Sequence, residues 1–254
     1  ANTKFDDVIQ LTNDNVLDTK TSPGAFLNFS STVYFKSSQM MDVASYFNNG
    51  WVKNGDVFLI TDFWNPAAHF IRYMADLSGV DVKMVGICHA GAYDPADLLG
   101  QRFKNKMWSK TLEQSFDELF DRLIFATGFS RDLYLRGVGV HFNLTKHLVT
   151  GFPMEYYKDV LPMYWDLKDK PKKENLIVFP HRKSPEKRID VFLKLKSMLP
   201  EYGFIVCQDV CRTKDEYHNL LYRSKLMFSA NEQETLGIGT AEALFAGCDV
   251  MVPN

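Results

Sequence analysis

The sequence predicts an α/β protein made of two Rossmann-like, doubly wound parallel-sheet domains, the second incomplete at its C-terminus. Three observations predict it. From Asp56 onward, short apolar runs alternate with amphipathic runs of helical period, the pattern of parallel strands joined by crossover helices. The alternation is interrupted at 159–173 by a charged stretch containing Pro171, and then resumes. The last apolar run, 249–252, opens a strand that no covering helix follows. The composition agrees: 254 residues, 46% hydrophobic and with a formal charge of −2, have enough apolar surface for a core.

Taken in order, 7–12 reads as a strand, 21–24 as a Ser-Pro-Gly turn, 26–35 as a strand from its partial alternation, and 38–47 as a short helix. The run 57–61 is apolar and of strand length, and is expected to be buried. A helix follows over 66–77, with Pro66 in a first turn that does not need its missing N–H. Next come a strand at 82–88 and a long polar and aromatic loop at 90–109. Residues 111–121 place Leu112, Phe116, Leu119 and Phe120 on one helical face. A strand at 123–127, a helix over 131–135 capped by Ser130, and a strand at 147–150 complete a first domain, 1–158. After the linker at 159–173, the second domain, 174–254, has strands at 175–179, 204–207, 226–229 and 249–252. Its helices are 185–199, with Ile189, Phe192, Leu193 and either Leu195 or Lys196 near one face, then 215–223, and 240–246 closed by Gly247.

Two loops of the second domain carry chemistry. The run from Ser229 to Gly247 is strand end, glycine-bearing loop and helix, a geometry that presents backbone N–H groups to an anion. Glu234 and Glu242 flank its glycines, one in the loop and one about a turn into the helix. Carboxylates there repel a bare phosphate but accept from vicinal hydroxyls, which suits a ligand carrying both, such as a nucleotide sugar. The second loop, His181 to Arg188, sets Arg182 and Lys187 at a strand's C-terminal end, where parallel sheets bind ligands. Such a cationic pair suits a diphosphate; the same residues also read as a solvated basic turn, and the glutamates as helix-dipole partners.

These two elements resemble the donor domain of retaining GT-B glycosyltransferases of the family 4 type. Arg182-x4-Lys187 matches that family's Arg-x4-Lys element, and Glu234-x7-Glu242 its Glu-x7-Glu element, with Ser229, Gly237 and Ala243 also in place. One extra residue separates Ser229 from Glu234, and Asp249 stands where a proline is usual. The likeness covers 174–254 well and 82–154 more weakly, and the family's N-terminal glycine-rich loop is not visible, Ser22-Pro-Gly24 being a poor substitute for it. The resemblance implies transfer of a hexose from a UDP- or GDP-linked sugar with retention and without a metal ion or other cofactor. It implies that Arg182 and Lys187 hold the diphosphate and that Glu242 binds the ribose. Glu234 would bind the sugar with help from backbone N–H groups at Thr235, Leu236 and Gly237, and His89 would face the sugar.

Two further readings share the fold: a non-catalytic module binding a nucleotide sugar or a protein, and a nucleotide-sugar epimerase. The acceptor is left open among glycan, lipid, protein and modified nucleic acid. Near-balanced charge argues against a general nucleic-acid binder, and no apolar run reaches the roughly 18 residues of a membrane span. The scattered Cys88, Cys207, Cys211 and Cys248 read as reduced thiols of a cytoplasmic protein.

Overall fold

A computed structural model describes residues 7–11 and 28–253. In chain order, the elements are α1 (Phe29–Asn48), β1 (Val57–Ile60), α2 (Ala68–Ser78), β2 (Lys83–Cys88), α3 (Leu98–Arg102), α4 (Met107–Leu119), β3 (Arg122–Phe125), α5 (Gly128–Tyr134) and β4 (His147–Val149). They continue with α6 (Tyr157–Val160), β5 (Glu174–Phe179), α7 (Ile189–Met198), β6 (Gly203–Val206), α8 (Cys207–Val210), α9 (Lys214–Arg223), β7 (Ser224–Phe228), α10 (Ile238–Phe245) and β8 (Asp249–Met251). The strands form two four-stranded parallel sheets, ordered β1-β2-β3-β4 and β6-β5-β7-β8.

The chain divides into two compact units. One comprises 1–89, 107–124 and 138–148; the other comprises 90–106, 125–137 and 149–254. This partition cuts across the expected boundary at 158, and the whole stretch read as a linker, 159–173, lies inside the second unit. That stretch is tied down rather than solvated. The Tyr222 hydroxyl donates to Pro162 O (2.5 Å), Tyr164 to Pro171 O (2.8 Å), and Lys173 Nζ to Ala246 O (2.7 Å). Its charged composition hides the aromatic residues that anchor it.

In the first unit, β2 is paired with β1 in register Val57↔Lys83 to Ile60↔Gly86. Phe63, Met84, Phe116, Phe120 and Leu123 are fully buried around it, each contributing about 1.5–3 kcal/mol. A Cβ at Gly86 would stand 3.1 Å from Phe63, Phe120 and Leu123, so the helix–strand packing is close there. Three expectations change. α1 replaces both the strand at 26–35 and the short helix at 38–47, started by Asn28, whose side chain accepts from Ser31 N at 3.0 Å. Residues 7–11 are not in a strand; 12 and the turn at 21–24 lie outside the described residues. β1 is a sheet edge rather than a buried strand, with Leu59 55% exposed.

The second unit shows why its sheet is covered on both faces. Alternate residues of a strand point to opposite sides. Val178 of β5 and Met227 of β7 pack with Leu220, Leu221 and Ala243 of α9 and α10. Ile177, Phe179 and Phe228 pack the other way, against Phe192 of α7. β5 lies between β6 and β7, in registers Ile177↔Phe204 and Ile177↔Leu226. The helix expected over 185–199 is broken. Pro185–Lys187 form a single 3-10 turn, and Arg188 is left-handed at φ 52° before α7 begins. Leu193 is half exposed at 51%, off the buried face. The cap of α5 is Thr127, with Ser130 as its reciprocal partner in a capping box, rather than Ser130 itself.

Candidate functional site

The loops that follow β5 and β7 leave neighbouring parallel strands on the same edge of the sheet, and their side chains meet. The Lys187 ammonium is buried and donates to Gln233 O (2.8 Å) and Glu234 Oε2 (3.1 Å). The same Oε2 accepts from Asn231 Nδ2 at 2.8 Å. Two further contacts tie the loops: Glu232 N donates to the backbone Glu186 O at 2.9 Å, and the Arg188 guanidinium donates to the Glu232 carboxylate at 2.8 Å. Arg182 is held within its own loop, donating to Glu186 Oε1 (2.7 Å) and Ser184 Oγ (3.0 Å). Burial pushes the Glu186 carboxyl up, but its hydrogen bonds from Ser184 and Arg182 outweigh this and hold it below the usual carboxylate range. The structure thus brings Lys187 and Glu234 together, with the Arg182 side chain bonded to Ser184 and Glu186 of the Lys187 loop.

Thr235, Leu236 and Gly237 form the bend into α10. Gly237 is left-handed at φ 77°, and no side chain caps the helix. Its first turn rests on the end of β5: a Cβ at Gly239 would stand 3.6 Å from Pro180 Cγ and 3.9 Å from His181 Cε1.

Glu242 has a different set of partners. It is 3% exposed, and Oε1 accepts from the Tyr157 hydroxyl (2.9 Å) and Lys214 Nζ (3.0 Å), while Oε2 accepts from the Tyr217 hydroxyl (2.8 Å). Both phenols are driven to stay protonated, first by burial and then by the neighbouring Glu242 charge together with, at Tyr157, a hydrogen bond with Tyr156. Two hydroxyls on one carboxylate is the arrangement a vicinal diol makes. His89 lies in the other unit, where its Nε2 is 2.8 Å from Thr61 O.

Sequence reasoning did not single out four groups here. His181 and Asn231 sit beside Lys187 and Glu234. Burial, and then the Lys187 charge, lower the His181 pKa to about 4, so its imidazole is neutral near pH 7. Tyr157 lies just ahead of the stretch read as a linker. Asp97 caps α3 through Leu99 N at 2.9 Å; burial raises its carboxyl, and the Arg182 charge is among the influences that offset this. The preference of Asp for helix starts was the one available signal.

No family model matches the sequence, and no curated protein matches it by sequence. Solved structures do match in fold. An α,α-trehalose-phosphate synthase (UDP-forming) from Burkholderia vietnamiensis superposes with a TM-score of 0.58 at 11% identity, over 88% of this chain and 64% of that one. A trehalose-6-phosphate protein from E. coli bound with UDP-2-fluoro glucose gives 0.58 at 13% identity, over 88% and 63%. The pneumococcal O-GlcNAc transferase GtfA, in complex with UDP and GlcNAc, gives 0.51 at 12% identity, over 86% and 45%. The fold is therefore of the two-sheet, Rossmann-like GT-B type. The chain spans between about half and two thirds of the length of these proteins. Among the described residues no helix is long and apolar enough to cross a membrane.

Proposed function

We propose that this chain binds a nucleoside-diphosphate sugar, UDP- or GDP-linked, and transfers its hexose to an acceptor with retention and without a metal ion. The observation that carries the reading is the meeting of Lys187 with Glu234 at the ends of β5 and β7. A cation and a carboxylate on adjacent strand ends, beside an uncapped helix start, match a ligand that is anionic in its middle and rich in hydroxyls at its ends. The named UDP ligands of the fold's neighbours support the same class.

In this reading Arg182 and Lys187 take the diphosphate, and each charge-assisted contact contributes roughly 1.5–3 kcal/mol. Their positive charge also offsets that building on the leaving nucleoside diphosphate, whose phosphate accepts the acceptor's proton. Glu234 accepts from sugar hydroxyls. Glu242 accepts from ribose hydroxyls, which replace one of the two phenols now on it. Thr235, Leu236 and Gly237 contribute backbone N–H groups at the start of α10. The protein's role is mainly positioning and electrostatics.

Titration of the protein with UDP, GDP and their hexose conjugates, followed by assay of donor hydrolysis, tests the proposal. Saturable binding of one nucleoside diphosphate is expected. Glu234→Ala is expected to keep nucleotide binding and lose discrimination among sugars. If none of these ligands binds, the proposal is wrong.

A further inference from the structure

We propose that His181 and Asn231 bind hydroxyls of the transferred sugar beside Glu234 and so help set which sugar the site accepts. The inference rests on the donor reading above and deepens it.

The hydrogen bonds fix the polarity of both side chains. Glu234 Oε2 accepts only, so the Asn231 atom 2.8 Å from it is the amide nitrogen. The second Asn231 N–H faces His181 Nδ1 at 3.4 Å, and that ring nitrogen is therefore the acceptor. The imidazole is neutral, so its proton lies on Nε2. What remains is one donor, His181 Nε2–H, and one acceptor, Asn231 Oδ1. Both atoms are buried and neither has a partner among the described residues. His181 as a whole is 9% exposed.

Leaving a buried donor or acceptor unpaired is costly, and folded proteins rarely carry two side by side. The two orphans differ in kind, and this selects the ligand. A phosphate only accepts and leaves Asn231 Oδ1 unanswered; an ammonium only donates and leaves His181 Nε2–H unanswered. Hydroxyl groups do both. Their place also fits. The Asn231 amide is the link between the buried imidazole and Glu234, which is 41% exposed at its side chain. The orphans thus lie one side chain beneath the carboxylate proposed to read the sugar.

Calorimetric titration of the full chain with UDP and UDP-glucose, and with GDP and GDP-mannose, tests this. The readout is the ratio of sugar-nucleotide to nucleotide affinity. His181→Leu and Asn231→Ala are each expected to lower that ratio about tenfold, the equivalent of one hydrogen bond, with nucleotide affinity itself within about twofold. His181→Gln, which keeps a donor, should recover part of the loss. In wild-type nitrogen-15 spectra, the His181 Nε2 resonance should move with the sugar nucleotide and stay put with the nucleotide. This readout needs no variant to fold. An unchanged ratio in folded variants, or a resonance that never moves, overturns the inference and leaves the pair holding a trapped water only. Wild-type protein that binds no nucleotide at all sinks the donor reading instead, and this inference with it.

Discussion

Nζ of Lys187 lies 3.1 Å from Oε2 of Glu234, joining across 47 residues of sequence the two elements that carry the proposed donor chemistry. The lysine side chain is 9% exposed and the glutamate 41%. A pair buried on one side only gains less than a dry ion pair and loses less when broken. We therefore expect Lys187→Met to weaken nucleoside-diphosphate binding at least tenfold while lowering stability by roughly 1 kcal/mol. Binding isotherms and urea melts on the same variant separate the two effects. An affinity within twofold of wild type would remove Lys187 from the diphosphate site.

The depressed pKa of His181 makes a statement about acid stability. In the unfolded chain this imidazole takes a proton below about pH 6.5; in the folded chain burial and Lys187 defer that to about 4. Between those values the unfolded state binds more protons, so stability is full above pH 6.5 and falls as the pH drops through the window. The loss from this one group is at most roughly 3 kcal/mol. Denaturant melts at pH 7 and pH 4.5 should show a smaller drop for His181→Gln than for wild type. Equal drops would mean that the ring is already protonated in the folded protein.

At Glu242 the two carboxylate oxygens are served unequally. Oε1 accepts from Tyr157 and from Lys214, and Oε2 accepts from Tyr217. Removing the Tyr157 hydroxyl leaves Oε1 with the ammonium. Removing the Tyr217 hydroxyl takes away the donor at Oε2. Tyr217→Phe should therefore destabilise by about 1–3 kcal/mol and Tyr157→Phe by less. Thermal melts of the two single variants rank them, and the reverse order would show that the Lys214 contact adds nothing.

What the sequence made legible follows from what is local. The strands of both sheets were readable as apolar runs, and the spacings Arg182-x4-Lys187 and Glu234-x7-Glu242 were readable because each lies on one loop or one loop-helix unit. α1 was not. Its buried residues are Ser31, Ser38 and Val43, which make no apolar stripe, and the aromatic alternation near Phe29 mimicked a strand. The break before α7 was hidden because its left-handed residue is Arg188, held by Asp190 and Glu232 rather than by being glycine. The orphaned atoms of His181 and Asn231 exist only in three dimensions. So does the seat of Tyr157 on Glu242, across 85 residues of sequence.

The two glycines that bracket α10 offer a test of backbone against packing. Gly237 is at φ 77°, and a Cβ there would meet Thr240 and Glu234 at no less than 3.5 Å, ordinary contact. Gly237→Ala therefore costs the left-handed backbone term alone, about 1–2 kcal/mol. Gly247 is at φ 70°, and a Cβ there would fall 2.7 Å from the Tyr164 ring, which itself lies under Lys173 Nζ at 4.7 Å. That ring is anchored by its hydroxyl on Pro171 O, so it cannot retreat cheaply. Gly247→Ala should carry the same backbone cost plus an overpacking cost of roughly 1–3 kcal/mol, and so melt well below Gly237→Ala. Truncating the ring separates the two contributions. If Tyr164 is the obstacle, Gly247→Ala in a Tyr164→Ala background should cost no more than Gly237→Ala does in the native chain. Should the penalty persist undiminished, the strain is all in the backbone and the 157–173 stretch does not press on the end of α10.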